Sequence, residues 1–170
     1  KEEILLINSK KSLTLENLQR KYGVELGEQK YFSILKNRKT YTSKEATLFF
    51  NMLVSQIDFS EDPIWMGNSD NREFFLYDSN LKKFYFYDFT LKNRKIIIEY
   101  NGESFHPRKD KLTEIEWSTW KVPFTNESAN SKFEFDQRKN NLAKSNGFTV
   151  VEVWSSDTFE ESLKKIVKLL

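Results

Sequence analysis

The run KIIIEYNGESFHP, residues 95–107, constrains the fold more than any other stretch of the chain. Three consecutive isoleucines suit a strand sealed inside a sheet, because β-branched side chains are stiff and pack well on a pleated surface. Such a strand has no cheap place for a charge, since an unpaired carboxylate is costly away from water. Yet Glu99 sits inside it, and Asn101, Gly102 and the only histidine of the chain, His106, follow at its end. A second anomaly lies upstream, where Asp88 interrupts the aromatic run FYFYDFTL. With a short turn at KNR, antiparallel pairing around Asn93 sets position 88 near positions 98 to 100. Two carboxylates should therefore meet at one strand end.

The rest of the composition bounds what this pair can belong to. A chain of 170 residues with 38% hydrophobic and 15% aromatic residues holds a sizeable core and is not disordered; it fits one compact domain with an arm. No apolar run approaches the roughly 20 residues a membrane span needs. The absence of cysteine excludes disulfides and cysteine-ligated zinc, and the charged start KEEILLINSKKS does not read as a signal peptide. The expectation is a cytoplasmic protein with no membrane partner. Net charge of +2 announces nothing by itself, but the basic residues cluster: KNRK at 36–39, KNRK again at 92–95, and Arg108, Lys109 and Lys111 just after His106. Solvated faces account for such clusters singly; three around one site point to a phosphate backbone.

Thr14 caps a helix over 15–22 that Gly23 ends, and a second helix follows over about 25–37. Thr42 opens TSKEATLFFNML, a helix whose stripe Leu48, Phe49, Met52 and Leu53 should face a core. A loop with Pro63 and Gly67 then leads to REFFLYD, KKFYFYDFTL and KIIIEY, which read as a three-stranded antiparallel meander. Residues 103–130, with WSTWKVPF and the polar run TNESANS, read as a long, partly helical insertion, the kind of segment in which function often resides. Within it Trp117, Trp120 and Phe124 suit a packed lid or a wedge at a base step. From about Glu134 a helix runs to Gly147, FTVVEVW is a buried strand, and Phe159, Leu163, Ile166 and Leu170 mark a closing helix. The fold class expected is α/β in the α+β sense: a mixed sheet of about four strands flanked by helices.

Asp88 and Glu99 are suitable hard oxygen ligands for Mg²⁺, which keeps most of its waters and takes one or two carboxylates plus a phosphate oxygen. The structural alternative is ion pairing of these acids with Lys82, Lys95 or Arg138. Thr42-x-x-Glu45 matches a capping box, and Asp136 near a helix start would be favoured by the helix dipole.

Asp88, IIIEYNG, His106, the helix FDQRKNNL ending at Gly147 and the strand FTVVEVW together resemble the nuclease core of the very-short-patch repair endonucleases. They are still more similar to the phage homing endonucleases with an EDxHD motif, a branch of the PD-(D/E)XK superfamily. Carried over residue by residue, the motif falls on Glu45, Asp88, His106 and Asp136, with its x near Glu99. The likeness spans about residues 42–170 and implies a PD-(D/E)XK-like core, Mg²⁺-dependent hydrolysis of phosphodiesters in double-stranded DNA, and Mn²⁺ as a substitute. The position of the usual E-x-K lysine is Asn101, which cannot deprotonate water, so the resemblance gives His106 the role of general base and Asp136 that of its orienting partner. Lacking cysteine, the chain departs from the zinc-bearing repair enzymes, which leaves mismatch or structure-specific nicking as the second reading and a catalytically silent DNA-binding domain as the third.

The segment 15–38, with Leu15, Glu16, Tyr22, Gly23, Gly27 and Tyr31, resembles a short segment of phage homing endonucleases; a plain helical hairpin is the alternative. The expected organisation is an N-terminal helical arm, 1–40, and a nuclease core, 41–170. Candidate phosphate contacts are Lys36, Arg38, Lys39, Lys92, Arg94, Lys95, Arg108, Lys109, Lys111 and Arg138. A monomer and a homodimer both remain open, and a phage-encoded protein would act in the bacterial cytoplasm.

Overall fold

A computed structural model describes residues 14–36, 43–67 and 72–170. The chain forms two compact units, Lys1–Lys39 and Thr40–Leu170. In the first, α1 (Leu15–Tyr22) and α2 (Val24–Lys36) make a helical hairpin. Thr14 caps α1 by accepting the Asn17 N–H, and Gly23 takes φ 83° at the turn, a conformation that only glycine adopts without strain. Gly27 lets the helices close up: a Cβ there would lie 2.5 Å from the Gln19 backbone.

The second unit runs α3 (Lys44–Gln56), β1 (Ile64–Met66), β2 (Phe74–Asp78), β3 (Lys83–Tyr87), β4 (Phe89–Leu91), β5 (Ile96–Asn101), α4 (Glu114–Thr119), α5 (Ala129–Ser145), β6 (Thr149–Trp154) and α6 (Phe159–Val167). It is a mixed α/β unit built on a four-stranded mixed sheet of order β1-β4-β5-β6, with β2 and β3 forming a separate two-stranded sheet. β5 pairs antiparallel with β4 and parallel with β6; the parallel pair needs a crossover, which contains α4 and α5. On one face of the sheet Ile96, Ile98, Phe89, Leu91 and Val153 pack with Phe49, Phe50 and Leu53 of α3 and Ile166 of α6. On the other, Ile97 packs with Ala143 of α5, Phe148, and Tyr85 and Tyr87 of β3. β5 is therefore covered on both sides, as its isoleucines require. Among the described residues no helix is long and apolar enough to cross a membrane.

The expected meander does not form. The run KKFYFYDFTL breaks at Asp88, so β3 pairs with β2 while β4 pairs with β1 and β5. Residues 64–66, expected as loop, are an edge strand. The buried stripe of α3 is Ala46, Phe49, Phe50 and Leu53, an i, i+3, i+4, i+7 set; Leu48 and Met52 are exposed. Its cap is Ser43, which accepts the Ala46 N–H, so Glu45 is not the third residue of a Thr42 capping box; Thr42 itself lies outside the described residues. Helix α5 begins at Ala129 under a Ser128 cap, five residues earlier than its apolar pattern suggested. Asp136 thus stands in the helix interior, where the N-terminal dipole gives it no support. β6 is half-buried rather than sealed.

Candidate active site

The break at Asp88 makes the site. Register fixes Phe89 against Ile98, so the next residue, Asp88, comes opposite Glu99, as antiparallel pairing about Asn93 requires. The strand does not continue there. Instead the Asp88 side chain takes the place of a ladder partner: its Oδ2 accepts the Tyr100 N–H at 3.0 Å. One carboxylate thereby satisfies the exposed edge of β5 and is held at the strand end.

Glu99 is 4% exposed. Its Oε2 accepts a hydrogen bond from Lys139 Nζ, and its Oε1 is buried without any partner. Burial pushes the Glu99 carboxyl up to about 8, against the pull of Lys139, and the neighbouring Asp88 charge adds to the rise. For Lys139 burial works against the charge, and the attraction of Glu99 and Asp88 outweighs it, so its pKa is raised. The turn of α5 that carries Lys139 is fixed by the buried Tyr87, whose hydroxyl donates to the Lys139 carbonyl at 2.9 Å.

After Gly102 the chain doubles back, with the Phe105 and His106 N–H groups both donating to the Gly102 carbonyl at 2.9 Å. His106 Nδ1 lies 2.8 Å from Asp136 Oδ2. Lys132, one turn before Asp136 on α5, donates to Asp136 Oδ1, and its Nζ is 3.2 Å from His106 Nδ1. Burial opposes the Asp136 charge, but the His106 and Lys132 contacts outweigh it and hold the carboxyl below its ordinary range. An ionised carboxylate only accepts, so Nδ1 carries the proton towards Asp136 and Nε2 of the neutral ring is left as the acceptor.

These groups surround one cleft of about 710 Å³ lined by Glu45, Asp88, Glu99, His106 and Lys139 among others. Glu45 is exposed on the first turn of α3; after burial, its charge is what raises the Tyr100 hydroxyl. Asp136 stands behind His106, outside the lining. Asn101 does not join the cleft: it is buried and donates through Nδ2 to Glu152 Oε1 at 3.2 Å. The partner of Glu99 is none of Lys82, Lys95 and Arg138 but Lys139, and Lys132 completes the His106 cluster; sequence reasoning gave neither a role. Their signal was the spacing 132, 136, 139, which puts three charges on one face of a helix.

The basic clusters fare differently. Lys92, Arg94 and Lys95 form the β4–β5 turn, at the end of β5 away from the cleft. There Lys92 sits 5.6 Å from the Trp65 ring, Lys95 4.6 Å from that of Phe148, and Arg94 pairs with Asp62. Arg108 is bound to Asp157, and Lys109 lies over the Phe133 ring. Lys111 and Arg138 are exposed. Lys36 ends α2, while Arg38 and Lys39 lie outside the described residues. In the insertion Trp117 packs on Phe133 and donates to Asn130, and Phe124 is 96% exposed.

Among the described residues no three His, Cys, Asp or Glu side chains gather as a metal site. Two carboxylates with an orphaned buried oxygen do fit a hard divalent cation that fills its other positions with water and phosphate oxygens. Comparison with family models, with curated proteins and with solved structures found no match.

Proposed function

We propose that this chain is a Mg²⁺-dependent DNA endonuclease of the homing type, hydrolysing phosphodiester bonds in double-stranded DNA on a PD-(D/E)XK-like core. The observation that carries the reading is the meeting, in one cleft, of a carboxylate pair with an unpartnered oxygen and a histidine backed by a half-buried carboxylate. Asp88 and Glu99 would hold the cation, which when bound would polarise a phosphoryl oxygen and offset developing charge. His106 takes the proton of the attacking water at Nε2. Asp136 accepts the Nδ1–H throughout, keeps the ring in that tautomer and stabilises the imidazolium that forms. Lys132 holds Asp136 ionised. Lys139, drawn to Glu99 by charge, keeps a positive group in the cleft where an anionic substrate would lie.

The choice of DNA over other phosphodiesters rests on the resemblance of residues 42–170 to phage homing endonucleases. Incubation of duplex DNA with the protein tests the reading: cleavage in Mg²⁺ that stops in EDTA supports it, and an inert protein in both Mg²⁺ and Mn²⁺ removes it.

A further inference from the structure

Arg108, two residues after the histidine, looks in the sequence like one more phosphate contact. Its surroundings say otherwise. Its side chain is 13% exposed. Its Nη1 donates to Asp157 Oδ1 at 2.7 Å and to Ser156 Oγ at 2.9 Å, its Nε donates to Asp110 Oδ1 at 3.3 Å, and its guanidinium stacks 5.2 Å from the Trp154 ring centre. Two of its three nitrogens and the flat face of the group are thus engaged at once, the arrangement for which arginine is better suited than lysine. Asp157 is itself held from behind by Lys165, at 2.6 Å, and from its own backbone by the Trp154 carbonyl. At the other end of the same loop, the Glu103 N–H donates to Ser155 Oγ at 3.3 Å, Ser156 donates to the Glu103 carboxylate, and the Ser155 N–H donates to the Asn101 carbonyl at 3.0 Å. Residues 102–108 are therefore fastened on both sides of His106 to the turn that follows β6.

We propose that Arg108 is a positioning residue: by fastening the His106 loop to Asp157 and Trp154 it keeps the imidazole on Asp136, and it takes no part in binding phosphate. The inference rests on the nuclease reading for its catalytic consequence, though not for its structural one. His106 reaches Asp136 from a loop, whereas Asp136 and Lys132 sit on a rigid helix. Only the loop side of that contact needs an external anchor, and Arg108 is the nearest group that supplies one.

Because the chain has one histidine, a single imidazole signal reports the tautomer directly. In the full chain labelled with ¹⁵N, the ring should show Nδ1 protonated and Nε2 bare in its neutral form. Arg108→Ala should let it exchange between both tautomers, and Arg108→Lys should restore part of the wild-type signal, since a lysine keeps the charge without the fork. In cleavage assays Arg108→Ala should lower kcat by about 10- to 100-fold with KM little changed, the cost of a misplaced catalytic group. The salt dependence of DNA binding should stay that of wild type. Asp157→Asn, which keeps the shape of the acceptor and removes its charge, should repeat the effect and covers the case in which Arg108→Ala does not fold. Arg94→Ala, which breaks an ion pair at the far end of the sheet, should leave the imidazole signal alone.

An unchanged imidazole in folded Arg108→Ala or Asp157→Asn would overturn the proposal. So would a salt slope reduced by about 0.9 in Arg108→Ala, which is the loss of one phosphate contact. An Arg94→Ala spectrum that moves as Arg108→Ala does would also overturn it, since general loosening would then be the cause. Absence of cleavage by the wild type would end the nuclease reading, while the tautomer measurement would still decide the role of Arg108.

Discussion

Lys139 holds one oxygen of Glu99 and leaves the other, Oε1, buried and without a partner. The pair is thus half-satisfied: a cation is present on one side of the carboxylate and no hydrogen-bond donor meets the other. Orphaned buried oxygens of this kind are rare because each costs about 1–3 kcal/mol. Of the buried side-chain atoms without a partner among the described residues, Glu99 Oε1 is the one that belongs to a carboxylate.

The stability of the protein should carry its signature. The Glu99 carboxyl, raised by burial from 4.5 to about 8, leaves the folded protein holding more protons than the unfolded one between those values. Its contribution to stability is therefore complete below the lower value and is lost as pH rises through the upper one. Urea unfolding in EDTA should show stability falling across that window, by at most about 1.4 kcal/mol per pH unit from this one group. Glu99→Gln should remove the slope, and saturating Mg²⁺ should flatten it in the wild type by favouring the ionised carboxylate. The same slope in Glu99→Gln would assign it elsewhere.

The histidine and its carboxylate should behave as one unit. His106→Ala should cost about 10² to 10⁴ in the single-turnover rate, the usual loss for a general base. Asp136→Asn should cost less in the same direction, and the double variant should be little worse than His106→Ala alone, because each change disables the same proton transfer. Additive losses would mean that some other group activates the water.

Salt should weaken DNA binding steeply, with a slope set by the number of phosphate contacts. Lys92→Ala and Arg94→Ala should leave that slope unchanged, since both residues sit at the turn away from the cleft and Arg94 is paired with Asp62. A slope reduced by about one contact in either variant would place DNA on that end of the sheet.

How much of this was legible beforehand depended on whether local rules were enough. The approach of Asp88 to Glu99 followed from one short antiparallel turn, where the sum of paired residue numbers is constant. The helices of the N-terminal unit followed from Thr14 and Gly23. The split of KKFYFYDFTL between two sheets did not, because strand partners are chosen by tertiary packing; the only local sign was the charge of Asp88 among aromatics. The start of α5 was hidden because TNESANS has the composition of a loop, and Ser128 caps a turn with no apolar stripe to announce it. Lys132 and Lys139 were lost among the charges of SKFEFDQRKNN, since nothing but the helix register tells which of them face the sheet. The partner of Arg108 was hidden for the converse reason: its sequence neighbours are basic, and the acid that pairs with it, Asp157, is far along the chain.

Asp88→Asn isolates the ligand charge from the fold. An asparagine oxygen can still accept the Tyr100 N–H, so the edge of β5 stays satisfied and the melting temperature should stay near that of wild type.

The direct measurement is nicking of supercoiled plasmid by wild type and Asp88→Asn, each in Mg²⁺ and in EDTA. Wild type should nick in Mg²⁺ and not in EDTA, and Asp88→Asn in Mg²⁺ should be slower by at least about 10²-fold. Cleavage that persists in EDTA, or that Asp88→Asn carries out at the wild-type rate, would contradict a metal-dependent site at this strand end.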